Sequence, residues 1–175
     1  FDSDPVTQAE TGPDARSISS SATSSPGGAN GTNGLNAGLP KRDLDMIVPN
    51  VNNMFDVDGI DISFDFQRDE NDGTFLKRGS SLIIDGADRL SVSYRVSDGA
   101  GGYTTINSGN VYNIPNDDVF RTYRFYYLPT TGYGAILVDG VEVWSNDGPD
   151  NRPLYWNGAG DILIGERLDG TGRNK

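Results

Sequence analysis

The 175-residue chain contains no cysteine and no histidine. Without cysteine there is neither a disulfide framework nor a thiolate site, so cysteine usage leaves the redox state of the compartment unmarked. Without histidine, the Ser-His-Asp triad and imidazole-ligated zinc are excluded. Cations are also scarce: 14 Lys and Arg stand against 25 Asp and Glu, a formal net charge of -11. Nucleic acid and anionic membrane surfaces both demand clustered Lys and Arg, so neither suits this chain, whereas divalent cations stay open as partners. No apolar run approaches the roughly 20 residues that span a bilayer. No repeat recurs at a period of roughly 20 to 50 residues, which removes propellers and solenoids.

Turn chemistry is plentiful. The chain holds 23 Gly and 9 Pro, with many Asn, Asp, Ser and Thr, and its β-branched and aromatic residues fall in short runs between them. Such a composition is all-β, and the length suits one domain with a sizeable core. Residues 60–66 give the cleanest alternation, with Ile60, Ile62, Phe64 and Phe66 inward and Asp61, Ser63 and Asp65 outward. Residues 43–49, 74–77, 81–85, 90–96, 103–106, 119–127 and 161–165 read as further strands, and Trp144, Tyr123 and Phe125 as core. Around Asp139-Gly140, Ile136, Val138, Val141 and Val143 mark two strands, and the Asp-Gly pair supplies the positive backbone angles of a two-residue turn. Helical spacing is absent, which predicts an antiparallel two-sheet β-sandwich, with a closed barrel as the other arrangement.

Residues 1–40 carry few large apolar side chains. They read either as a flexible Gly/Ser tail or as an irregular opening loop over a sandwich edge before Leu35 leads into regular strands. The chain opens at Phe1, as expected of numbering that starts after processing. Asn30-Gly31-Thr32 matches a glycosylation sequon, in a segment whose composition makes chance matches common.

The order of these pieces resembles the concanavalin A-like jelly-roll sandwich, specifically its laminin-G-like and pentraxin-like modules. The resemblance rests on a Gly-rich opening loop at 27–38, an entry strand at 43–49, strands at 60–66, 75–79 and 120–126, the Asp-Gly hairpin at 136–143, and a final Gly-ended strand at 162–165. It covers most of the chain and implies one sandwich domain over residues 1–175. Two departures stand out. Phe120 and Tyr123 occupy places where such modules often carry Trp and His. The closing strand usual in these modules has no counterpart before Lys175, so the expectation is a fragment of a longer polypeptide, or a strand donated by another chain.

Catalysis finds little purchase. The related laminarinase-type hydrolases carry Glu-x-Asp-x-x-Glu on an inner strand, and that motif is absent, with Glu10, Glu70, Glu142 and Glu166 isolated from one another. Asp61 and Asp65 flank Ser63 on one strand face and are read as a solvated face rather than an acid-base pair. The resemblance also implies calcium, pointing to Asn36 and Asp43 as metal ligands. No EF-hand fits, because setting Gly59 at the invariant glycine places Met54 at the first ligand position.

Glycan binding needs exposed aromatic platforms beside amide or carboxylate partners. The candidates are Tyr103 and Tyr133 near loop tips, and Tyr155, Trp156 and Asn157 after a Pro- and Asp-rich loop; Trp156 could equally cap the sandwich edge. The expected protein is a noncatalytic binding or adhesion module of a bacterial-type secreted or cell-surface protein, with glycans or surface and matrix proteins as partners and calcium as an auxiliary. A structural spacer module and a divergent carbohydrate-active enzyme are the alternatives.

Overall fold

The computed structural model describes residues 13–15, 23–26, 28–36, 46–68, 74–86 and 88–165. Two antiparallel sheets make up the sandwich, as the alternation predicts. The smaller has the order β12-β11-β10-β4, formed by β4 (Ile60–Phe66), β10 (Arg121–Leu128), β11 (Tyr133–Val138) and β12 (Val141–Asp147). The larger runs β3-β13-β5-β6-β7-β8, from β3 (Met46–Val48), β5 (Thr74–Arg78), β6 (Leu82–Asp85), β7 (Arg89–Ser97), β8 (Tyr103–Asn107) and β13 (Ile162–Ile164). The short β9 (Tyr112–Asn113) pairs with the start of β7.

Residues 1–40 are not wholly irregular, contrary to the sequence expectation. β1 (Thr23–Pro26) and β2 (Asn33–Asn36) pair antiparallel as a separate hairpin. The glycines there serve the close approach of two backbones: a Cβ on Gly28 would lie 2.7 Å from the Asn33 carbonyl carbon. The sequon residue Asn30 sits at φ 55 in the connecting turn. Positions 1–12, 43–45 and 166–175 lie outside the described residues. The entry strand is therefore seen only from Met46, and the expectation about a closing strand falls beyond what is described.

Inward-facing side chains of the two sheets meet in an aromatic core. Tyr94 of β7 packs against Phe125 and Tyr127 of β10, with ring centroids 5.2 and 5.4 Å away. Phe75 of β5 packs on Phe64 and Phe66 of β4 at 4.7 and 4.6 Å. Leu82, Ile84, Leu90, Val92 and Ile136 fill the space between these rings. Burial of such side chains contributes about 1.5–3 kcal/mol each. A cavity of about 10 Å³ between the sheets, lined by residues that include Phe64, Tyr123 and Ile136, has room for no more than a single water.

The Asp-Gly hairpin forms where the sequence places it. Val138 pairs with Val141 across Asp139 (φ 50) and Gly140 (φ 78), both angles positive as a two-residue primed turn requires. The Asp139 carboxylate ties the turn to the neighbouring strand. It accepts from the Thr122 backbone N–H at 2.9 Å, while the Asp139 N–H donates to the Thr122 carbonyl at 2.8 Å. A register shift beyond Ile136 lets both Val143 and Trp144 pack against the core. Val141, at the hairpin tip, is 66% exposed.

Among the described residues, the buried charged side chain is Arg78, 2% exposed at the end of β5. Its guanidinium lies 4.4 Å from the ring centre of Trp156 and donates to the carbonyls of Phe55 (2.5 Å) and Gly160 (3.0 Å) and to the carboxylate of Asp56. One side chain thereby joins the 50–58 loop to the 156–160 turn.

Two stability outcomes are expected. Arg78→Ala strips the Phe55 and Gly160 carbonyls of this donor and leaves Asp56, itself partly exposed, with Asn50 alone; it costs roughly 2–4 kcal/mol, read as a fall in the urea midpoint, with Arg78→Lys recovering part of it. Gly140→Ala meets no atom within 4 Å, so its cost is the backbone angle alone, about 1–2 kcal/mol by the same measurement; an unchanged midpoint would contradict the turn assignment.

Candidate functional site

Tyr103, Tyr155 and Asn157 come together on the outer face of the larger sheet. The tight alternation of β7 turns Tyr94 and Val96 into the core and Arg95 and Ser97 outward. Tyr103 opens β8 opposite Ser97, and is 44% exposed. The loop between them is held by Asp98, whose carboxylate accepts the backbone N–H groups of Ala100 (2.8 Å) and Gly102 (2.9 Å). Those two bonds, with a smaller contribution from the Arg152 charge, hold the Asp98 carboxyl below its ordinary value. Gly99 and Gly101 supply the positive φ values of the tight turn.

Tyr155 reaches this face from the other side of β7. Beyond Leu82 the edge of β7 is taken over by residues 153–155. Leu154 bridges Val96, the Tyr155 N–H donates to the Arg95 carbonyl at 2.9 Å, and the Ser97 N–H donates to the Pro153 carbonyl at 2.9 Å. The ring centres of Tyr103 and Tyr155 lie 5.0 Å apart with 36° between their planes. Asn157 Nδ2 donates to the Tyr155 hydroxyl at 3.2 Å. The guanidinium carbon of Arg95 sits 4.1 Å from the centre of the Tyr103 ring. Two rings, an amide and a cation thus share one patch of sheet surface.

Trp156 does not belong to that surface. It is 8% exposed, its indole N–H donates to the Val57 carbonyl at 2.7 Å, and Arg78 covers a ring face. Adjacent residues in an extended segment point to opposite sides, so a neighbour of the outward-facing, half-buried Tyr155 is driven inward. Of the sequence readings of Trp156, the edge-capping one describes its position.

Tyr133 lies elsewhere, on the outer face of the smaller sheet. Its hydroxyl donates to Glu142 at 2.7 Å, and its ring lies 6.1 Å from that of Tyr126. Arg124, 5.1 Å from the Tyr126 ring, donates to both oxygens of Asp61 at 2.8 and 2.5 Å. Thr122 donates its hydroxyl to Asp65 at 2.6 Å. These groups satisfy one another, and Asp61 and Asp65 are taken up by strand β10, as a solvated sheet face would have them. The hydroxyl of Tyr133, and after it Ser145, hold Glu142 below the usual carboxylate value.

Among the described residues no three Asp or Glu side chains converge. Asn36 is described through its backbone in β2, while its side chain and the whole of Asp43 lie outside the described residues. Among the described residues, no helix is long and apolar enough to cross a membrane.

Arg95 is the member of the Tyr103–Tyr155 patch that sequence reading missed. Its signal was present: an outward position in the 90–96 alternation, two residues before the turn that returns the chain to Tyr103.

No protein-family model matches the chain, and no curated protein sequence matches it. Similar solved structures include one of botulinum neurotoxin type C, whose cell entry depends on interaction with two ganglioside molecules. It is 14% identical with a TM-score of 0.47, over 87% of this chain and 44% of that one. The CBM40 of the Ruminococcus gnavus IT-sialidase is similar in its complexes with α2,6- and α2,3-sialyllactose. Each is 14% identical with a TM-score of 0.42 over 65% of this chain, and 66% and 65% respectively of the other. The chain thus spans less than half of the toxin chain and about two thirds of each sialidase module. Such low identities and scores carry no inference about ligand.

The Asp61–Arg124 pair gives a pH prediction. The Arg124 hydrogen bonds, opposed by burial and aided by the guanidinium charge, hold Asp61 below 3.8. A depressed carboxylate stabilises the fold above its unfolded value, and that contribution is lost as pH falls through the lower folded value. An NMR titration of the Asp61 carboxyl is expected to show a midpoint below 3.8 that returns towards 3.8 in Arg124→Gln; coincident midpoints would contradict the pairing. Both partners are about half exposed, so the effect on stability is small.

Proposed function

We propose that this chain is a noncatalytic glycan-binding module of a secreted or cell-surface protein, related to the laminin-G-like sandwiches that its motif order resembles. Its ligand surface is the Tyr103–Tyr155–Asn157 patch. The observation that carries this reading is the pairing of two partly exposed tyrosine rings 5.0 Å apart beside an exposed amide. A pyranose presents an apolar C–H face and a rim of hydroxyls, and it asks for this combination of ring surface and hydrogen-bonding groups. Tyrosine suits it particularly, because its ring offers rigid contact area and its hydroxyl a polar handle.

A noncatalytic role is supported by what surrounds the carboxylates. Asp61 and Asp65 are engaged by Arg124 and Thr122 on an open sheet face, without the enclosure that raises a catalytic acid. An extracellular setting fits the acidic, cysteine-free composition.

Binding to a broad panel of immobilised glycans tests the reading. Wild-type protein is expected to retain at least one class of oligosaccharide, and Tyr155→Ala to weaken it by roughly tenfold, the equivalent of about 1.4 kcal/mol for one lost ring contact. Binding only to matrix proteins, or glycan affinity untouched by Tyr103→Ala and Tyr155→Ala alike, would refute it.

A further inference from the structure

We infer that the Tyr103–Tyr155 patch selects sugars bearing an anionic group, a carboxylate or a sulfate, and that Arg95 supplies the cation that reads it. This rests on the glycan-binding reading and deepens it.

The reason lies in how this acidic chain uses its arginines. Arg78, Arg121 and Arg124 are ion-paired to Asp56, Asp117 and Asp61. Arg89 lies 3.9 Å from Asp88, and the guanidinium of Arg152 lies over Gly99 in the field of Asp98. Arg95 differs: among the described residues no carboxylate pairs with it, although Asp and Glu outnumber Lys and Arg by 25 to 14 in the chain. Its Nε is buried without a hydrogen-bond partner. What holds it is the face of Tyr103, a contact that fixes the plane of the guanidinium without using its donors.

An arginine that no carboxylate pairs with among the described residues, held against a ring face, is a preformed fork for a planar or tetrahedral anion. Its position settles which ligand part it meets. It stacks on the same Tyr103 whose ring neighbours Tyr155, so a sugar on the two rings brings its substituents within reach of the guanidinium's free end. A neutral sugar would leave the cation facing water. A carboxylate or sulfate would replace that water with charge-assisted hydrogen bonds in a partly dehydrated setting, where they are stronger than neutral ones. The overall charge of -11 repels anions at long range, so selection has to come from this short-range contact.

Matched ligand pairs test this by calorimetry: sialyllactose against lactose, a glucuronic acid-terminated disaccharide against its glucose-terminated counterpart, and a 6-sulfated galactoside against the unsulfated one. At least one acidic member is expected to bind roughly tenfold more tightly than its neutral partner. Within Arg95→Gln protein the acidic and neutral members of each pair should bind alike, whatever their common affinity, and Arg95→Lys should keep part of the difference. The sialic and uronic pairs against the sulfated pair distinguish carboxylate from sulfate. Equal affinity within every pair, or an acid preference that survives in folded Arg95→Gln protein, overturns the inference while leaving glycan binding through Tyr155 intact. Absence of binding to every ligand, acidic and neutral, would overturn both. Thermal melts of the two Arg95 variants separate lost recognition from lost folding, and recovery in Arg95→Lys alone counts for the charge.

Discussion

The buried guanidinium of Arg78 is the constraint on which the rest of this structure depends. A charge taken so far from water is tolerable only when its donors are satisfied, and here two carbonyls, one carboxylate and an indole face satisfy them. Those acceptors come from two loops far apart in sequence, around residues 55–56 and at Gly160. Asn50 and Asp56 tie the first loop to itself, with Asn50 Oδ1 accepting from the Phe55 N–H and Asn50 Nδ2 donating to Asp56. Trp156 and Leu154 then hold the second loop to it, donating to the carbonyls of Val57 and Asp58. Once Trp156 is fixed beneath Arg78, the alternation of the extended chain turns Tyr155 outward. The exposed site is thus held by a buried charge on the other side of the same backbone.

The outer faces of the two sheets follow different electrostatic logics. On the smaller sheet, Asp61, Asp65, Thr122, Arg124, Tyr133 and Glu142 form cross-strand hydrogen-bonded pairs, one of them the Asp61–Arg124 ion pair, which occupy these groups internally. On the larger sheet, Arg95 and Tyr103 form a cross-strand contact that uses the ring face and no hydrogen bond of the guanidinium, whose Nε is buried. Both arrangements contribute modestly to stability at a surface. Their difference matters for recognition, because a ligand competes with internal partners in the first case and largely with water in the second.

Much of the fold was legible because its signals are local. Alternation in residues 60–66 and 90–96 determines which side chains meet across the sandwich, and Asp139-Gly140 carries its turn geometry in two residues. The β1-β2 hairpin escaped notice because its strands are Ser-, Asn- and Gly-rich and pair through backbone contact rather than an apolar stripe. The site was half legible. Tyr103, Tyr155 and Asn157 were recognisable as exposed aromatic and amide groups near turns, but nothing local says that the long stretch of chain between the two tyrosines brings them to ring contact. Arg78 and Arg95 look alike in sequence, each an arginine in a strand. Only long-range packing makes one a buried tie and the other a surface cation.

The recognition surface proposed above is a sheet face rather than a cleft, and that has a physical consequence for how such a patch would bind. Among the described residues the cavity between the sheets has room for no more than a water, so contact area in the proposed site comes from two surface rings, Tyr103 at the start of β8 and Tyr155 on the segment bridged to β7. Strands hold their side chains more rigidly than loops do, and Tyr103 is further clamped by Arg95 while the Asp98-capped turn fixes where β8 begins. Little side-chain freedom therefore remains to be lost on binding, which offsets the small area available. A cleft gains affinity from enclosure. Here the same end is approached by preorganisation: the backbone bond from Tyr155 to Arg95 sets the spacing of the rings, and the stacking of Arg95 on Tyr103 sets the direction of the charge.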